Sequence, residues 1–113
     1  MTNVLFICSA NRLRSPTAEQ VFSTWPGVET DSAGISTGAS VRLSSEQVDW
    51  ADIIFVMEKT HRKKLIRQFR DRLKDKRLVC LDIPDDYDFM DPVLVRMLEN
   101  RVGRFLPQAR PEM

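Results

Sequence analysis

The sequence predicts an α/β fold: one domain over residues 1–113, a four-stranded parallel sheet flanked by helices on both faces. Three observations predict it. Short unbroken apolar runs at Val4–Ile7, Ile53–Met57 and Leu78–Leu81 have strand length and no polar alternation, the pattern of strands covered on both sides. Stretches with apolar residues at helical spacing lie between these runs. The chain has 113 residues, 42% hydrophobic and 29% charged, which is enough for one core and too few for two. Crossovers in such a sheet are expected to be right-handed, and ligands bind beyond the carboxyl ends of its strands.

The elements follow in order. Val4–Ile7 is the first strand. Ser15 is placed as N-cap and Pro16 as the first residue of a helix, whose buried face is Ala18, Val21, Phe22 and Trp25. Pro26-Gly27 ends it. Val28–Ser32 is a short second strand, followed by GISTGAS, which reads as a flexible connection. Ser44 and Gln47 have capping-box spacing for a short helix running to about Trp50, a residue expected in the core. Ile53–Met57 is the third strand. Glu58 to about Leu73 is helical, with Leu65, Ile66, Phe69 and Leu73 on one side. Leu78–Leu81 is the last strand. Asp91-Pro92 starts a final helix with Val95, Leu98, Val102 and Phe105 on its buried face, and the tail PQARPEM is expected to fray. No internal repeat is visible.

Composition narrows the function. The formal net charge is +1, so the molecule as a whole has no strong pull toward nucleic acid or membrane. No run of about 18 apolar residues is present to span a bilayer. MTNVLFICSANR does not have the pattern of a secretory signal, and two cysteines, Cys8 and Cys80, make no disulfide scaffold. A cytoplasmic location with both thiols reduced is expected. One histidine and two distant cysteines supply too few ligands for a metal site, and no cofactor is implied.

The predicted topology brings Cys8, Asp31, Met57 and the segment Asp82–Tyr87 to one edge of the sheet. The loop at that edge, CSANRLRS, has the makings of an anion site. Free N–H groups and the helix dipole at a helix N-terminus hold a phosphate, and the Arg14 guanidinium grips two of its oxygens at once. Ser9 and Ala10 are small enough for the backbone to fold closely, and Asn11 tolerates the left-handed conformation such loops use. The same positive field favours the thiolate of Cys8, and the Ser15 hydroxyl is within reach to donate to it. A thiolate beneath a bound phosphoryl group is a nucleophile. Without the loop, a cysteine at a strand end is merely a small buried hydrophobe. The surrounding context of strand, Cys, five residues, Arg, Ser, Pro and helix is what favours phosphate.

VLFICSANRLRSPTAE resembles the signature of the low-molecular-weight protein tyrosine phosphatases. DSAG at 31–34, ADIIFVMEKTHRKKL at 51–65 and DIPDDY at 82–87 resemble that family's further motifs, in the family's order and over most of the chain. The resemblance implies a phosphatase acting on phosphotyrosine or another aryl phosphate monoester, on a phosphorylated protein or a small ester. It implies Cys8 as the nucleophile that forms a phosphocysteine, and Arg14 as the group that binds the phosphoryl oxygens. Ser9, Ala10, Asn11, Arg12 and Leu13 form the binding loop, with Ser32 supporting Asn11 from beneath and Ser15 favouring the Cys8 thiolate. Asp85 is implied as general acid and then general base, with Asp82 as the second candidate, and Tyr87 as a wall of the entrance.

Four departures from the family pattern stand out. Ala10 replaces a glycine. Leu13 replaces a second cysteine, so no neighbouring thiol shelters an oxidised Cys8. The acid loop reads Asp-Asp-Tyr instead of Asp-Pro-Tyr. The 35–50 segment is short of an insert that walls the substrate cleft. Two other functions compete. Arsenate reduction on this fold uses further cysteines, and only Cys80 is available, inside a predicted strand. A non-enzymatic phosphate-binding module would keep the loop without turnover. His61, in the basic stretch KTHRKKLIRQFRDRLKDKR, is expected on the surface, and the stretch itself as a solvated helix face, with nucleic acid not expected as a partner.

Overall fold

The computed structural model describes residues 1–107; the end of the tail, where fraying is expected, lies outside them. The four predicted strands form one parallel sheet in the order β2-β1-β3-β4. They are β1 (Thr2–Cys8), β2 (Val28–Gly34), β3 (Ile53–Val56) and β4 (Arg77–Cys80). The helices are α1 (Arg14–Phe22), α2 (Ser45–Trp50), α3 (Lys59–Phe69) and α4 (Pro92–Val102).

The side-chain alternation of β1 sorts the core into two layers. Val4, Phe6 and Cys8 face α1 and α4 with Phe22, Leu94 and Leu98. Leu5 and Ile7 face α2 and α3 with Val48 and Leu65. Phe6 is stacked between Phe22 and Phe55, with centroids 5.8 and 5.4 Å away. Because both faces are covered, the central strands are apolar throughout Val4–Cys8 and Ile53–Val56, and this is why they were readable as continuous runs.

Several boundaries moved for physical reasons. β2 runs on to Gly34, because Gly34 pairs with Cys8. Asp31 is therefore inside the strand, where it accepts from Gln47 Nε2, and is not at the ligand-binding edge. Helix α1 starts at Arg14, and its N-cap position is Leu13, with no side-chain cap. Ser15 is not the cap because its hydroxyl is committed to the loop. The helix ends at Phe22, short of Trp25, whose indole instead lies edge-on to Phe22 at 4.9 Å. The long basic helix stops at Phe69 and tightens into a 3₁₀ turn over Arg70–Arg72. The Ser44–Gln47 capping box and the Asp91 cap with Pro92 both form as expected.

The strand order decides where a ligand sits. The chain leaves β1 for β2 on one side, then crosses back to β3 on the other. The switch between β1 and β3 opens a crevice at their carboxyl ends. Cys8 ends β1 and Met57 directly follows β3.

Candidate active site

Cys8 is 3% exposed, and the loop after it curls back over the strand end. Three successive carbonyls are held from behind. Cys8 C=O accepts from Ile35 N, Ser9 C=O from Ser36 N and Ala10 C=O from Ser40 N, at 2.9 to 3.1 Å. In a trans peptide the N–H points opposite to the C=O, so the N–H groups of Ser9, Ala10 and Asn11 turn toward the cradle. None of the three donates to a protein acceptor among the described residues. Asn11 takes the left-handed conformation with φ 56°, as its residue type allows. Ala10 is not among the positive-φ residues, so alanine serves where the family has glycine.

The segment that reads as a flexible connection is thus the back support of the loop. Gly34 shows why the contact is so close. A Cβ there would lie 2.4 Å from Ala39 Cβ and 2.6 Å from Ser9 O, so only glycine lets the two backbones approach. Arg12, exposed on the loop, reaches Ser40 Oγ with its Nε at 3.4 Å.

Beneath the loop is a chain of side-chain hydrogen bonds. Ser15 Oγ is 2.9 Å from Cys8 Sγ. Asn11 Nδ2 donates to both Ser15 Oγ and Ser32 Oγ, each at 2.9 Å. Ser32 Oγ in turn donates to Glu19 Oε1 at 2.5 Å. Because Asn11 donates to it, Ser15 Oγ directs its own proton toward Cys8 Sγ or the more distant Ala33 carbonyl, at 3.5 Å.

Arg14 is 2% exposed, and its orientation is dictated by three groups. Its Nη1 donates to Glu58 Oε2 at 2.5 Å and to the Ile83 carbonyl at 2.7 Å. Its Nε lies 3.6 Å from Asp85 Oδ1. Asp85 is largely exposed, so its carboxylate stands at the mouth of the site while the Arg14 guanidinium lies within. Asp82 is elsewhere. It sits at φ 55° with its carboxylate 3.5 Å from Cys80 Sγ, and the geometry favours Asp85 of the two.

His61 overturns the surface expectation. It is 2% exposed, and its ring bridges the start of α3 to the loop. Nδ1 accepts from the Glu58 backbone N–H at 3.1 Å, so Nε2 carries the proton and donates to Ser9 Oγ at 2.7 Å. Burial, followed by the nearby Arg14 charge, lowers its pKa from 6.5 to about 4. A neutral imidazole is what this contact requires.

Tyr87 is half-buried and packs against the α1–α4 core layer. Trp50 packs on the other layer, and its carbonyl accepts from Asn3 at the far, amino end of β1, so it does not wall the cleft. Leu13 is half-buried; its carbonyl accepts from Thr17 N and Oγ1. Among the described residues, no three His, Cys, Asp or Glu side chains group to hold a metal ion. No helix there is long and apolar enough to cross a membrane.

No protein-family model matches the chain. It is 29% identical to a protein-arginine-phosphatase of Geobacillus stearothermophilus, over 79% of this chain and 77% of that protein. The solved structure of the YwlE arginine phosphatase from the same organism superposes with a TM-score of 0.76 at 25% identity, covering 93% of this chain and 90% of that one. A low-molecular-weight protein tyrosine phosphatase from Streptococcus pyogenes shares the fold, with TM-score 0.77 at 17% identity over 96% and 95% of the two chains. The chain has the fold of the low-molecular-weight protein tyrosine phosphatases. The sequence carries the resemblance through its loop motif, but three supports of that loop were missed there: Glu19, Glu58 and His61. All three stood inside the motifs SPTAE and VMEKTH, and that was their available signal.

Proposed function

We propose that this protein is a cysteine-dependent phosphatase that hydrolyses phosphotyrosine or a related aryl phosphate monoester on a protein. One observation carries the reading. Cys8, hydrogen-bonded to Ser15, lies under a loop whose inward N–H groups and buried Arg14 make one anion cradle, with Asp85 at its mouth. The Cys8 thiolate attacks phosphorus as the bond from phosphorus to the aryl oxygen breaks. Asp85 passes its proton to that oxygen, and the phenol leaves. Water then attacks the phosphocysteine, Asp85 takes a proton back, and phosphate leaves as the thiolate is restored. Arg14 and the loop N–H groups stabilise the charge that develops on the equatorial oxygens.

The arginine phosphatase relatives favour a second reading, in which the ester is replaced by phosphoarginine. Its leaving group gains positive charge on protonation, and the exposed Arg12 cation on the loop opposes that. The aryl ester is therefore placed first. A cytoplasmic location fits two free thiols in a reducing compartment.

The test is turnover of para-nitrophenyl phosphate, a phosphotyrosine peptide and a phosphoarginine peptide. Cys8→Ser should abolish it, and Asp85→Asn should lower kcat on the phosphotyrosine peptide by about 10²–10⁴. Vanadate binding by a wild type that turns over none of the three would leave only a phosphate-binding module.

A further inference from the structure

The basic helix is not absorbed by the phosphatase chemistry, and neither is the open edge of the sheet. β4 is the last strand, paired only with β3. Arg77 N and Leu81 N donate toward β3, to Asp52 O and Val56 O. In a parallel pair alternate residues face the partner strand, so the backbone groups of Leu78 and Cys80 face away from it. Leu78, Val79 and Cys80 are also only half-buried, unlike the fully buried β3.

Two grooves flank this edge. On the α3 side, a groove of about 700 Å³ is lined by Lys59, Arg62, Lys63 and Ile66 above Leu78 and Cys80. On the α4 side, one of about 350 Å³ is lined by Arg101, Arg104 and Phe105 beside Val79. Five cations thus bracket an apolar strand edge, and Asp82 is the one carboxylate in either lining. The edge leads directly into the loop that carries Ile83 and Asp85. It is also level with the reaction centre, since Cys80 registers with Val56 and Val56 with Ile7.

We propose that this edge docks an extended, acidic segment of the phosphoprotein substrate as a fifth strand. The proposal rests on the phosphatase reading and names what the enzyme recognises beside the phosphoryl group. Backbone bonds at Leu78 and Cys80 give the segment its direction, and acidic side chains alternate into the two basic grooves. Three strand spacings of about 4.8 Å separate β1 from the added strand, about four extended residues. The acidic stretch therefore begins about four residues from the phosphorylated side chain.

The test uses the whole chain with para-nitrophenyl phosphate and length-matched phosphotyrosine peptides carrying acidic, neutral or basic flanks. A second readout is anisotropy of the unphosphorylated acidic peptide, with and without backbone N-methylation. We expect kcat/KM for the acidic peptide to exceed the neutral one by about tenfold at low salt, and the gain to vanish at about 0.5 M salt. The double variant Arg62→Glu, Lys63→Glu and the single Arg104→Glu should each erode the gain and leave para-nitrophenyl phosphate turnover unchanged. N-methylation should weaken binding. Equal kcat/KM for all three peptides overturns the proposal, and then the cations merely guard an exposed edge against pairing. Unweakened binding of the N-methylated peptide overturns the strand geometry, and tighter binding of a single-stranded oligonucleotide overturns the choice of partner. No turnover of para-nitrophenyl phosphate by the wild type would instead bring down the phosphatase reading, with anisotropy still deciding the docking.

Discussion

His61 holds the loop through a proton it must not gain. Protonation would break the Glu58 N–H to Nδ1 bond and set a second cation beside Arg14. Its folded pKa of about 4 lies below the free value of 6.5, so the unfolded chain binds the proton more readily between them. Stability from this residue is therefore complete above about pH 6.5 and is lost as the pH falls toward 4, by up to about 3 kcal/mol. Denaturant midpoints measured across that window should slope downward with acid, and His61→Asn should flatten the slope. Gly34 acts at the same scale through having no side chain. Gly34→Ala forces the 35–40 segment off the back of the loop, and we expect a cost of about 1–3 kcal/mol together with a clear loss of kcat.

At the scale of elements, the helices divide by task. α1 and α3 present their first residues to the phosphate loop, whereas α4 covers the core layer of Phe6 and Phe55. Asp91 caps α4 by accepting from Val93 N at 2.8 Å. Asp91→Ala should then cost about 1 kcal/mol in thermal unfolding and leave kcat unchanged, in contrast to Gly34→Ala. The acid loop belongs to this scale too. Its Asp85 carboxylate is placed by Arg14 on α1, and Ile83 on the same loop bonds that arginine. In DIPDDY, which lacks the family's proline, the guanidinium holds the loop from inside.

Across the whole molecule, strand spacing decides the fate of an oxidised Cys8. Cys80 stands two strands away, level with Ile7, so its Cα is about 10 Å or more from that of Cys8. A disulfide needs Cα atoms within about 7 Å. Desolvation also raises the Cys80 thiol pKa, which makes it a poor attacking group. Brief peroxide should inactivate the enzyme reversibly, and prolonged peroxide irreversibly, with sulfinic acid at Cys8 and no Cys8–Cys80 bridge by mass spectrometry. The same separation leaves arsenate reduction through an internal thiol relay without a partner cysteine. Leu13 in the loop completes the effect, since it stands where the family has its second thiol.

The sequence by itself determined the sheet and where the loop between Cys8 and Arg14 lies. Both are local signals: apolar runs mark strands buried on two faces, and the Cys-to-Arg spacing with Ser-Pro marks the loop and its helix. The capping residues Ser44 and Asp91 were legible for the same reason, because their partners lie within three positions. The tertiary structure alone decided what holds the loop. Ser9 meets His61 across 52 positions, Arg14 meets Glu58 across 44, and Ser40 meets Ala10 through the backbone. No periodicity encodes such pairs, because they arise only when the crossovers bring separate strand ends to one edge. Ser15 was misplaced as a helix cap on this account. Its hydroxyl satisfies either role in sequence, and the buried sulfur of Cys8 claims it in space.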